Sequence, residues 1–115
     1  MVNLKLQNIT RRFDNKVSLD NVSLEVKDKE FYTLVGPPGA GKTTTFRIVA
    51  GFEKPDQGRV YFDDQDVTDF TPSARGVGFF FEILALLPDK TGFENIAFPL
   101  RVRKVSENEI RKRVY

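Results

Sequence analysis

The chain contains no cysteine and no histidine. Without cysteine there is no disulfide framework and no thiol nucleophile. Without histidine, zinc sites and His-based catalytic triads are excluded, so any base must be a carboxylate, a lysine or a tyrosine. Charge of one sign is also lacking: the formal net charge is only +2 over 115 residues, which implies no strong pull toward nucleic acid. Arg101, Arg103, Lys104, Arg111, Lys112 and Arg113 are interleaved with acidic residues and read as a solvated helix face. Long hydrophobic runs are missing too. The longest, Val77 to Pro88, contains Glu82 and is too short to span a bilayer. Met1 to Thr10 alternates polar and apolar residues and lacks the apolar core of a signal peptide. The expectation is a soluble, cytosolic chain of one-domain length.

Against these absences stands one dense motif. Gly36-Pro37-Pro38-Gly39-Ala40-Gly41-Lys42-Thr43 matches the phosphate-loop pattern G-x-x-x-x-G-K-[ST] at every fixed position. The preceding Phe31-Tyr32-Thr33-Leu34-Val35 reads as a buried strand. Lys42 to Ala50 reads as a helix, with Gly51 placed to end it. In a strand–loop–helix setting, the loop N–H groups converge on phosphate oxygens and the helix N-terminus adds partial positive charge. The pattern assigns Lys42 to the β- and γ-phosphates and the Thr43 hydroxyl to Mg²⁺.

The rest of the chain reads as short elements. Val2, Leu4, Leu6 and Ile9 predict a first strand, and Val22, Leu24 and Val26 a second with one solvated face. Lys27 to Glu30 is a polar turn. Arg59 to Phe62 predicts a short strand, Asp63-Asp64 a turn, and Gln65 to Phe70 an edge strand or loop. Val77 to Phe81 is an apolar run of strand length. Thr91-x-x-Glu94 and Ser106-x-x-Glu109 each fit the capping box, predicting two short helices. No repeat, low-complexity segment or flexible linker is evident.

With these residues in place, the chain resembles the N-terminal part of an ABC transporter ATP-binding subunit, of the importer type that serves sugars and similar solutes. The resemblance is carried by Val22 to Val26, Gly36 to Thr44, Ile48 to Pro55, Gly58, Val67-Thr68-Asp69, Pro72, Arg75 to Gly78, Ala85-Leu86 with Pro88, and Glu94 to Phe98. It implies an α/β P-loop NTPase fold with an ABC-type nucleotide-binding domain, truncated. An antiparallel β subdomain and P-loop core would span 1–81, and the start of a helical subdomain 82–115. It implies ATP and Mg²⁺ as ligands. Partners would be transmembrane permease subunits and a second ATPase subunit in a homodimer or heterodimer, with no nucleic acid. The subunit would sit in the cytoplasm, peripheral on the inner face of the membrane.

The resemblance also assigns further residues. The nucleotide-binding set is Phe13, Val17, Gly36, Pro37, Pro38, Gly39, Ala40, Gly41, Lys42, Thr43 and Thr44; Thr43 and Glu82 are the metal ligands, and Lys42 and Glu82 the catalytic residues. Phe13 falls where the family stacks an aromatic ring on adenine, although periodicity alone reads it as a core aromatic. Val17 falls beside the base, and packing explains it equally well. Thr44 resembles the hydroxyl that meets the α-phosphate, and is also an ordinary residue for a helix start. Ile83, Leu84, Ala85, Leu86, Leu87 and Pro88 resemble the region that receives a helix of the membrane subunit; the alternative is a buried local core.

Two departures stand out. Where the family has Phe-Gln, this chain has Phe81-Glu82, which keeps a hard oxygen donor for Mg²⁺ but loses the amide donors and adds negative charge. The alternative is a surface loop carboxylate. Gly92 stands where an aliphatic residue is common, which is expected to loosen the next helix. No Leu-Ser-Gly-Gly-Gln loop, Walker B strand with catalytic glutamate, or switch histidine occurs. Nucleotide binding without hydrolysis is therefore expected, as is weaker order after Phe81. The alternative is a non-catalytic fragment that docks a transporter membrane subunit. A small kinase would leave the family-like order of 58–98 unexplained.

Overall fold

The computed structural model describes residues 2–83 and 85–115. Leu84, one of the apolar segment named above, lies outside them. The chain forms two compact units, Met1–Phe79 and Phe80–Tyr115.

The first unit is built on an antiparallel sheet. Strands β1 (Leu4–Phe13), β2 (Lys16–Val26), β3 (Gln57–Phe62) and β4 (Gln65–Asp66) lie in the order β2-β1-β3-β4. β1 is central, pairing with β2 from Leu4↔Val26 to Phe13↔Lys16 and with β3 from Leu4↔Phe62 to Thr10↔Gln57. Strict alternation would send Leu6 and Ile9 to opposite faces, yet both are buried. A register shift between them, with Asn8 at φ +52°, returns Ile9 to the core side. Ser23 Oγ stabilises the bulge by accepting from Asn8 N at 2.9 Å. The β3–β4 turn is Asp63-Asp64, both at positive φ (+47° and +65°), as a two-residue hairpin requires. At Gly58, φ +95°, an added Cβ would stand 2.4 Å from Asn8 O and 2.5 Å from Gln7 O, so β1 and β3 can cross this closely only over glycine.

Helix α1 (Lys42–Ala50) packs Ile48 into a cluster with Leu6, Ile9, Leu19, Val60, Phe62 and Val67. Each fully buried aliphatic side chain of this kind contributes roughly 1.5–3 kcal/mol. Gly51 ends the helix as expected, at φ +89°, with its N–H on Arg47 O at 3.0 Å and Phe52 N–H on the same oxygen at 2.9 Å. A short helix, α2 (Pro72–Arg75), follows β4 and carries a buried arginine. Arg75 donates to Ile48 O (2.8 Å), Val49 O (3.0 Å), Thr68 O (2.9 Å) and Phe70 O (3.2 Å). Its guanidinium thereby satisfies carbonyls at the C-terminal end of α1, where a cation also suits the helix dipole. Burial lowers the Arg75 pKa from its ordinary value, opposed by the charge of Asp69.

Two strand predictions fail. Residues 31–35 and 77–81 belong to no strand. Phe31 is 94% and Val35 91% exposed, so the expected buried strand before the loop is neither paired nor covered. A strand needs a neighbour for its N–H and C=O groups, and both segments lie outside the sheet of the described residues. Val77 packs against the core without pairing, and Phe79 sets its ring edge-on to Phe52 at 5.3 Å.

In the second unit, α3 (Gly92–Val102) and α4 (Glu107–Val114) start at the two capping boxes. Thr91 Oγ1 accepts from Glu94 N at 3.2 Å and Ser106 Oγ from Glu109 N at 3.4 Å. Helix α3 begins at Gly92 itself, so the glycine does not delay the start. Ala97 and Ile110 are fully buried, and Arg101 bridges Glu94 (3.2 Å) and Glu107 (3.0 Å). Asn95 organises the preceding loop, accepting from Leu87 N at 2.8 Å and donating to Thr91 O at 2.9 Å. No helix among the described residues is long and apolar enough to cross a membrane.

Candidate nucleotide-binding site

The loop from Gly36 to Gly41 wraps back on itself before α1. Ala40 N–H bonds Pro37 O at 3.1 Å. Gly39 (φ +84°) and Gly41 (φ +94°) take left-handed conformations that a side chain would strain. Helix α1 has no side-chain cap at Gly41, and a helix start without a capping side chain is where an anion can take that place. Lys42 folds over the loop: its ammonium donates to Gly36 O and to Pro37 O, the latter at 2.8 Å. Two carbonyls of the loop therefore hold the cation at its centre.

The hydroxyls that follow differ in state. Thr43 is exposed and its hydroxyl has no partner among the described residues. Thr44 is half-buried and its Oγ1 accepts from Ser18 Oγ at 2.8 Å. Thr45 is buried and turns its hydroxyl back onto Gly41 O at 2.8 Å.

The β1–β2 hairpin forms the neighbouring wall. A Cβ on Gly41 would stand 2.5 Å from Ser18 O and 2.7 Å from Leu19 Cδ2. Lys16 Nζ lies 3.9 Å from the corresponding point on Gly39. Phe13 pairs with Lys16 across the hairpin, is 42% exposed, and carries the Arg11 guanidinium 4.5 Å from its ring centre. Its ring is thus a partly open face rather than a core aromatic. Val17, next to Lys16, is also exposed. Glu82 belongs to the second unit, where its side chain is exposed. Ser18 carries no local signal in the sequence, and Arg75 was named only within the family-like run Arg75 to Gly78; Ser18 meets Thr44 across 26 positions and Arg75 meets Ile48 across 27.

The chemistry of this arrangement fits a polyphosphate: a caged ammonium, an uncapped helix N-terminus and an open hydroxyl lie in consecutive residues. Among the described residues no group of three or more acidic, histidine or cysteine side chains could hold a metal alone. A magnesium ion delivered with a nucleotide needs few protein ligands, and the Thr43 hydroxyl suits it.

The family model for ABC transporters matches residues 19–114. The chain belongs to the ABC transporter family. Among curated relatives, the ABC protein named "Spermidine/putrescine import ATP-binding protein PotA" of Nitrosomonas eutropha is 45% identical over 99% of this chain and 31% of its own length. The PotA of Vibrio cholerae is 47% identical over 96% of this chain and 29% of its own. Among solved structures, an ATP-binding cassette described as dimeric, in a post-hydrolysis state bound to ADP and Pi, superposes with TM-score 0.79 at 33% identity, over 96% of this chain and 53% of that one. A dimeric bacterial ABC transporter cassette gives 0.81 at 33% identity. The chain thus spans about a third of the length of these curated ABC relatives. The solute in their names is a polyamine, not the sugar that the resemblance suggested. The ABC-type P-loop fold expected from sequence holds, with the strand before the loop unformed.

Proposed function

We propose that this chain forms the ATP-binding part of an ABC importer ATPase subunit that powers uptake of a polyamine. The observation that carries the nucleotide reading is Lys42 held by Gly36 O and Pro37 O at the mouth of helix α1. The solute class is supported by the spermidine/putrescine names of relatives 45–47% identical to this chain.

In this reading Lys42 exchanges its two carbonyl partners for β- and γ-phosphate oxygens, a charge-assisted and stronger bond. The N–H groups of Gly36, Gly39, Ala40 and Gly41 surround the phosphates, with Pro37 and Pro38, which have no N–H, fixing the entry of the loop. Thr44 donates to the α-phosphate, Phe13 stacks on adenine and Val17 packs beside it. Thr43 and Glu82 would hold a magnesium ion, which would neutralise phosphate charge. Substituting Glu82 for the family glutamine weakens coupling of nucleotide state to the membrane subunits. The partners are permease subunits and a second ATPase subunit, and the site of action is the inner face of the membrane. Support for a permease contact comes from Phe80, Ile83 and Leu86, which are 85%, 84% and 67% exposed rather than folded into a local core. In this reading these 115 residues supply the binding of nucleotide and not its hydrolysis.

Titration with a fluorescent ADP tests this. Lys42→Ala is expected to weaken binding at least about tenfold, the loss of hydrogen bonds to a charged group. Equal affinity in the two proteins would overturn the site, and phosphate release abolished by Lys42→Ala would overturn the claim of binding without turnover.

A further inference from the structure

Ser18 lies on β2, outside the phosphate loop, and its position is fixed from two sides. Its neighbour Leu19 is 5% exposed and shares the core cluster with Ile48 of α1. Its own carbonyl oxygen lies so close to Gly41 that a Cβ there would stand 2.5 Å away. From this support the Ser18 hydroxyl donates to Thr44 Oγ1 at 2.8 Å.

A threonine hydroxyl has one proton to give and two lone pairs. Within a helix it readily turns that proton back onto the carbonyl four residues earlier. Thr45 does so, to Gly41 O at 2.8 Å. The equivalent acceptor for Thr44 is Ala40 O, but Thr44 makes no such bond and turns its oxygen to Ser18 instead. One lone pair of Thr44 Oγ1 is then occupied, and its proton remains for an outside acceptor.

The geometry points to Ser18 as a positioning residue that holds the Thr44 hydroxyl ready to donate to a nucleotide phosphate. This rests on the nucleotide-site reading above. It makes phosphate affinity depend on a strand residue of the same hairpin that carries Phe13 and Val17. The base-side and phosphate-side groups of the site are thereby joined through one hydroxyl pair.

The test is a double-mutant cycle on the full 115-residue chain, read by titration with fluorescent ADP. Ser18→Ala is expected to weaken binding about 3- to 10-fold, the worth of one neutral hydrogen bond. Combining it with Thr44→Ala should cost no more than Thr44→Ala alone, because both remove one interaction. Ser18→Thr, which keeps the hydroxyl, should bind within about twofold of the parent, a difference smaller than one hydrogen bond. If Ser18→Ala does not fold by circular dichroism, Ser18→Cys, with its weak S–H donor, takes its place and should show an intermediate loss. Unchanged affinity in Ser18→Ala, or losses that multiply in the double mutant, would overturn the assignment while leaving the nucleotide site intact. A parent chain that does not bind ADP would overturn both.

Discussion

β1 and the segment 31–35 both carry the apolar residues that propose a strand, and their fates are opposite. β1 spaces Leu4, Leu6, Ile9 and Phe13 among polar residues, whereas 31–35 is the uncharged run Phe-Tyr-Thr-Leu-Val. β1 lies between two strands and buries Leu6 and Ile9 to 1% and 0% exposure. Phe31 and Val35 are almost wholly exposed. What separates them is pairing: β1 finds partners in β2 and β3, while 31–35 has none among the described residues. Apolar character proposes a strand, and only a neighbour for its backbone makes one.

The comparison breaks most visibly at Ile9. Ile9→Ala should destabilise the chain by about 2–5 kcal/mol, the cost of a cavity in a packed core. Urea unfolding would show it as a lower midpoint, and a shift of under ~0.5 kcal/mol would mean the cluster is not the core. Val35→Ala should move the midpoint by less than about 0.5 kcal/mol, as exposed substitutions do. Amide exchange sharpens the contrast: residues 31–35 should exchange near free-chain rates while Leu6 and Ile9 stay protected. Protection at 31–35 would overturn the account of this segment as unpaired.

The smallest effect lies at the end of β1. Asp56 accepts from Arg12 N at 2.7 Å and from Arg11 Nη1 at 2.9 Å. The Arg12 backbone bond, with help from Arg11, lowers its pKa from the ordinary 3.8. Its stabilising contribution is therefore complete above the unfolded-state value and is lost as pH falls through the lower folded one. A carboxyl titration by NMR should place Asp56 below 3.8, and Asp56→Asn should flatten the acid limb of the stability curve below about pH 4.

Local chemistry was legible in the sequence, and long-range pairing was not. The phosphate loop, the stop at Gly51, the Asp63-Asp64 turn and the N-caps at Thr91 and Ser106 are each written in a few adjacent residues, and each appears in the structure. The early strands were recognised, but β1 runs on to Phe13 and β2 starts at Lys16, because bulges at Asn8 and Asn21 scramble the alternation. Strands at 31–35 and 77–81 were expected from composition alone, which does not say whether a neighbour exists. In the site, Lys42 and Thr43 could be named from spacing. Ser18 and Arg75 act across more than twenty-five positions, and no local pattern announces those bonds.

Gly58 carries a consequence for how this chain can vary over generations. Every amino-acid replacement reachable from a glycine codon adds at least a Cβ, and here that atom would meet Asn8 O at 2.4 Å. Gly78 has nothing within 4 Å of the same point. Random mutation should therefore be purged at Gly58 and accumulate at Gly78, so one codon preserves the crossing of β1 and β3 while the other is free to drift.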